Sequence, residues 1–143
     1  SYHPSSLSPN GDGPTLAMQQ ALQVAALKAS DIDFINTHGT GTENNDEVES
    51  TAMLNVFQER IPPFSSTKSN IGHTLGAAGG IEAVYSILNL LNQEIYPQLN
   101  FEVADSKNKL VPVTSYKQTP LQHIMSNSFG FGGNCSSLIF SKA

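Results

Sequence analysis

The chain has no tryptophan, a single cysteine and few charges, with Asp, Glu, Lys and Arg making up 13% of its 143 residues. Each scarcity excludes something. Cys135, standing alone, cannot close an internal disulfide, which fits a reducing compartment and makes the cytosol the expected location. Seven basic residues face twelve acids for a formal net charge of -5, and Lys28, Arg60, Lys68, Lys107, Lys109, Lys117 and Lys142 are scattered. The basic face of a nucleic-acid binder is therefore missing. No apolar run approaches the ~20 residues of a membrane-spanning helix, so no membrane span is expected. The basic-then-apolar order of a signal peptide is also lacking. With 38% hydrophobic residues the chain still has the makings of a core. So little charge implies that part of its surface is covered by a partner domain or subunit.

What is present falls into alternating elements. Residues 1–14, SYHPSSLSPNGDGP, form a Ser/Pro/Asn/Gly-rich stretch that reads as a loop within a longer protein. Asp12-Gly13-Pro14 predicts a helix start, with a capping acid and an early proline, and Leu16, Met18, Leu22, Ala25 and Ala26 continue it to Lys28. Residues 31–36, DIDFIN, read as a short buried strand. After the Gly/Thr break at 39–42 a second helix begins near Asn45, with Asp46, Glu47 and Glu49 in its first turn and Val48, Ala52, Val56 and Phe57 on its apolar face. Pro62-Pro63 ends that unit, and residues 64–66 suggest another strand. Residues 68–80 read as a loop of small residues, followed by a helix whose stripe is Ile81, Val84, Tyr85, Leu88 and Leu91. Short strands are expected near 110–114, 123–128 and 136–140, the last two joined by the glycine turn 130–133. Helix, strand, helix, strand, helix and a β tail together predict an α/β layered domain over residues 1–143, whose strand-to-helix loops carry ligand chemistry.

Three segments concentrate that chemistry. His38 follows a buried strand and precedes Gly39-Thr40-Gly41-Thr42, where glycines admit a ligand to the backbone and hydroxyls can bond a polar linker. It can face a cleft, cap the next helix or be satisfied in the core. Lys68 and His73 share the run Lys68-Ser69-Asn70-Ile71-Gly72-His73, which leads into Gly76, Gly79 and Gly80. This is either a solvated loop lysine or a tightly packed one, and the glycine order of a phosphate-binding loop is absent. Asn127-Ser128-Phe129-Gly130-Phe131-Gly132-Gly133 can be a plain β-hairpin turn. A metal site of His38, His73, Asp46 and Glu49 is disfavoured, because the histidines lie far apart and no close H-x-x-x-H pair exists.

Taken together, Thr37-His38-Gly39-Thr40-Gly41-Thr42, Lys68 to His73 and Asn127 to Gly133 resemble the signature blocks of β-ketoacyl synthases, in the family's order. The resemblance covers nearly the whole chain and the carboxyl-terminal half of such an enzyme. It implies a thiolase-like α/β/α layered half with a mixed sheet. The implied activity is elongation of acyl chains by decarboxylative condensation of malonyl-acyl carrier protein with an acyl group held on an enzyme cysteine. His38 and His73 match the family's catalytic histidines and Lys68 its active-site lysine. Asp46 and Glu49 match nearby acids, one of which would hold that lysine in place. Thr40 and Thr42 match threonines that contact phosphopantetheine, and Phe131, beside Gly132, matches a gating phenylalanine at the acyl pocket. No cofactor of its own is implied, since substrates ride on the phosphopantetheine of acyl carrier protein. Implied partners are the amino-terminal half, acyl carrier protein and a second copy in a homodimer.

The departures from the family matter as much. The family's nucleophilic cysteine belongs to the other half, and Cys135 does not match it. The usual Gly-Phe-Gly-Gly-Thr-Asn becomes Gly130-Phe131-Gly132-Gly133-Asn134-Cys135, with the cysteine expected to be a small buried residue. The chain alone is thus expected not to condense anything. Its alternatives are a non-catalytic chain-length-factor or scaffold partner of a ketosynthase, or a stand-alone binder of carrier protein.

Overall fold

The computed structural model describes residues 6–143, so the first residues of the opening loop lie outside the described residues. Helix α1 (Asp12–Ala25) starts after Gly11, whose φ of 70° is left-handed, and Ser8 Oγ donates to Asp12 Oδ2 at 2.6 Å. Asp12 is the first helical residue rather than the cap. Pro14 occupies the first turn, where a missing N–H leaves nothing unpaired. The helix stops short of Lys28 because Ala26 turns left-handed and the following N–H groups close back on Gln23 and Leu22.

A 3₁₀ turn (Ala29–Asp31) then leads into β1 (Phe34–Asn36), which is buried throughout. Helix α2 (Glu43–Phe57) is capped by the Thr42 hydroxyl, which accepts from the Asn45 N–H. Strand β2 (Phe64–Ser65) precedes a single helical turn, α3 (Lys68–Ile71), and then α4 (Ala78–Asn92). The expected loop at 68–80 is therefore partly helical. The expected strand at 110–114 does not form. Instead Val113 runs extended, donating its N–H to Phe64 O at 2.8 Å and accepting from Gln98 N at 2.7 Å. A two-stranded antiparallel pair forms elsewhere, from β3 (Glu94–Ile95) and β4 (Lys117–Gln118). Strands β5 (His123–Phe129) and β6 (Cys135–Ser141) form the expected hairpin across the glycine turn.

The main sheet has the order β2-β1-β5-β6, parallel except for β6. Side chains alternate across it. Ile35 and Met125 join Met18 and Leu22 of α1 and Ala52, Met53 and Phe57 of α2 on one face. Phe34 and Ile124 join Leu90 of α4, Ile95, Val113 and Leu121 on the other. The result is an α/β/α layered unit with a mixed sheet.

Helix α4 reverses the expected facing. Its buried residues are Ala78, Glu82, Ser86, Asn89 and Leu90, while Val84, Ile87, Leu88 and Leu91 are exposed, Leu91 at 71%. Of the apolar stripe read from spacing, Val84, Leu88 and Leu91 point outward while Ile81 and Tyr85 are half-buried, Tyr85 beside Tyr96, and a largely polar face meets the sheet.

Candidate active site

Both histidines and the lysine converge at one end of the sheet. His38 lies just beyond β1 and is buried, and Lys68 opens α3 just beyond β2, also buried. The join is made by Asn36, whose Nδ2 donates to Thr67 Oγ1 at 2.9 Å and so ties the end of β1 to the start of α3. Lys68 Nζ donates to His38 O at 2.6 Å, approaches His38 Nδ1 at 3.3 Å and pairs with the carboxylate of Glu82 from α4. An ammonium has only donors, so Nδ1 of His38 must accept and the ring proton resides on Nε2.

His73 follows α3 and is exposed, its ring 5.8 Å from that of His38 and perpendicular to it. Its Nδ1 accepts the Leu75 N–H at 3.0 Å, which again leaves Nε2 to carry the proton. Phe129 closes the other side of His38, at 5.5 Å between rings. Burial first, then the Lys68 charge and His73, push the His38 imidazole down to about 3, so His38 is neutral at physiological pH.

Glu49 and Asp46 do not hold the lysine. Glu49 is buried and accepts from His38 N and Gly39 N, both at 2.9 Å, and from the amides of Asn127 and Asn45, both at 3.3 Å. Its carboxylate clamps the backbone of the histidine loop. Burial raises its pKa, against those four donors. Asp46 is exposed on α2, with Asn45 Nδ2 3.4 Å from its Oδ1. The lysine's counter-ion is Glu82, a residue not identified from the sequence. The sequence signal for it is that Glu82 is the one charged residue of α4, beside a lysine that can be buried only with an anion. Burial pushes the Glu82 carboxyl up and the Lys68 bond opposes that shift.

Gly39 is required by space. It has φ of 44°, and a Cβ there would lie 2.4 Å from Ser66 Cβ. Thr40 and Thr42 share a hydroxyl hydrogen bond of 2.9 Å on the exposed rim of the same loop. Phe131 is 80% exposed at the tip of the β5–β6 connection, next to Gly132 with φ of 78°. Cys135 lies on β6 beside Gly13 of α1, and burial, then the Glu49 charge, raises its thiol pKa. Cys135 is half-buried rather than buried as expected, and its raised pKa is the opposite of what a nucleophilic thiolate needs. Among the described residues, no group of three His, Cys, Asp or Glu is placed to hold a metal ion, and no helix is long and apolar enough to cross a membrane.

The layered unit that brings two imidazoles and a buried lysine to the ends of its parallel strands has the thiolase-like fold of its structural neighbours. Residues 1–102 match the family described as Beta-ketoacyl synthase, C-terminal domain, and the chain belongs to that family. It is 42% identical over 151 aligned residues to a putative mitochondrial 3-oxoacyl-[acyl-carrier-protein] synthase of Schizosaccharomyces pombe, covering 99% of this chain and 35% of that protein. It is 44% identical over 138 residues to 3-oxoacyl-[acyl-carrier-protein] synthase 1 of Haemophilus influenzae, covering 95% of this chain and 33% of that protein. Among solved structures, it superposes with a TM-score of 0.95 and 29% identity on a chain of a type II PKS acyl-carrier protein in complex with its ketosynthase bound to the hexaketide. That match covers all of this chain and 36% of the other. The chain thus spans about a third of the length of the curated relatives it matches.

Proposed function

We propose that the chain is the carboxyl-terminal part of a β-ketoacyl-acyl carrier protein synthase and supplies the decarboxylation machinery of a condensing enzyme. The observation that carries this reading is the pair of imidazoles 5.8 Å apart, each with Nδ1 already engaged as an acceptor. Each therefore has an Nε2–H free to donate. When the bond between the malonyl methylene and its carboxylate breaks, carbon dioxide leaves and the electron pair passes to the thioester as an enolate. The growing negative charge on the thioester oxygen is met by the two N–H donors. Preorganised donors of this kind are each worth about 10²–10³ in rate. The enolate carbon then attacks the acyl thioester on the enzyme's cysteine, forming the new carbon–carbon bond and releasing the thiolate.

Lys68 holds His38 in its tautomer and disfavours the imidazolium. Glu49 positions the His38 loop, and Asp46 supports the same helix start. The rim hydroxyls of Thr40 and Thr42 suit the amide groups of a phosphopantetheine arm, which arrives on acyl carrier protein, so no cofactor of the chain's own is invoked. Phe131, exposed beside Gly132, suits a gate over the acyl pocket.

The nucleophile comes from an amino-terminal part, which covers the outward apolar face of α4 and makes residues 1–143 one portion of a larger enzyme. The whole enzyme works in the cytosol as a homodimer. Retention of His38, Lys68 and His73 together weighs against a non-catalytic chain-length-factor or scaffold role.

The test is elongation by the full-length protein carrying this chain, with acyl- and malonyl-acyl carrier protein as substrates. Product formation that falls by about 10²–10³ in His38→Ala or His73→Ala is the expected result. An inactive parent, or variants as active as the parent, overturns the reading.

A further inference from the structure

Asn127 of β5 is fully buried, and its amide is held between the neighbouring strand β6 and helix α2. Its Oδ1 accepts the Ser137 hydroxyl of β6 at 2.8 Å, and its Nδ2 donates to Glu49 Oε1 at 3.3 Å. That same oxygen accepts the His38 N–H, while Glu49 Oε2 accepts that of Gly39. A chain of hydrogen bonds therefore runs from the last strand, through an amide and a carboxylate, to the backbone that carries the imidazole. We propose that Asn127, locked by Ser137, is a positioning residue for His38, acting through Glu49. The proposal rests on the catalytic reading above and assigns these two residues a part in it.

An asparagine is suited to this place because Glu49 can only accept while ionised, and a buried carboxylate needs donors rather than a second acceptor. The Glu49 carboxylate, an acceptor only while ionised, distinguishes the two ends of the amide, since a flip would set the amide oxygen against it, and the Ser137 hydroxyl holds the oxygen end in place. Asn127→Asp places a second carboxyl against the first. Two carboxyls sharing a site raise one another's pKa, and once one proton is shared the O–H replaces the lost N–H. The other titratable groups around the site are His38 from the loop after β1, Asp46 from α2, Lys68 and Glu82 beyond His38, and Cys135 from β6. From α1 the contact is the sulfur of Met18.

The test is malonyl decarboxylation by the full-length protein, comparing parent, Asn127→Ala, Asn127→Asp and Ser137→Ala, with melting temperatures alongside. Asn127→Ala should lower kcat by about 10–100-fold, the scale of a misplaced catalytic group, with KM little changed. Relative to the parent, Asn127→Asp should gain activity as the pH falls from about 8 to about 6, a recovery that simple destabilisation does not produce. Should that variant not fold, Ser137→Ala carries the test, with a severalfold fall in kcat at an unchanged melting temperature. Full activity in Asn127→Ala or Ser137→Ala, or an Asn127→Asp to parent ratio that is flat with pH, overturns the proposal. A parent inactive throughout overturns the catalytic reading instead.

Discussion

Lys68 Nζ lies 3.3 Å from Nδ1 of His38 and 2.6 Å from the carbonyl oxygen of the same residue. One ammonium thus fixes both the tautomer and the backbone of the histidine, and its own charge is met from behind by Glu82. Sheet geometry makes this possible: β1 and β2 are parallel neighbours, so the residues following them emerge at the same end.

The pair with Glu82 should be costly to break. Glu82→Gln leaves the Lys68 ammonium buried without an anion, and breaking a buried pair typically costs about 3–5 kcal/mol. Chemical denaturation of the full-length protein should show a loss of that size, together with reduced decarboxylation. A loss below ~1 kcal/mol would mean that Lys68 finds water or another acceptor.

Gly39 should tolerate no side chain. With φ of 44° and Ser66 Cβ 2.4 Å from the position of an added methyl, Gly39→Ala must displace the loop that carries His38. Strain of this kind costs about 1–3 kcal/mol, and a shift of His38 should cost decarboxylation activity as well. Paired measurements of stability and kcat check both expectations.

Acid should destabilise the fold through His38. Its folded value of about 3 lies below the ordinary value of 6.5, so between those two pH values the unfolded chain binds a proton that the folded one does not. This part of the stability is intact above pH ~6.5 and is lost as the pH falls toward 3. His38→Gln should flatten the decline in unfolding free energy between about pH 6.5 and pH 5. An unchanged slope would show that His38 is protonated in the folded state.

The outward face of α4 should make the chain associate when produced alone. Leu88 and Leu91 are exposed one turn apart, and burying a leucine is worth about 1.5–3 kcal/mol. Replacing both with lysine should raise the concentration of half-association in sedimentation by at least about tenfold. An isolated chain that stays monomeric at high concentration would contradict the covered-face reading.

Much of this was legible in the sequence, and the exceptions have physical reasons. Strands β1, β5 and β6 and helix α2 follow from short apolar runs and from Val48, Ala52 and Phe57 on one face, because those groups are buried within this chain. The facing of α4 was not legible. Val84, Leu88 and Leu91 are exposed in this chain, while the inner face is polar because Glu82 serves Lys68 and Ser86 Oγ accepts from Asn36. His38, Lys68 and His73 were found from their motifs, and parallel pairing brings them together. The resemblance points to Asp46 or Glu49 as the lysine's partner, but Glu49 has its acceptors filled by four donors. The short β3–β4 pair rests on few contacts, which leave no periodic pattern to read.

The most direct measurement is nitrogen-15 NMR of the histidine rings in the full-length protein at neutral pH, assigned with His38→Gln and His73→Gln. His38 should be neutral, and both rings should carry a proton on Nε2 with Nδ1 bare, as donors to an enolate oxygen require. A proton on Nδ1 of either ring, or an imidazolium at His38, would contradict the donor pair on which the proposed chemistry rests.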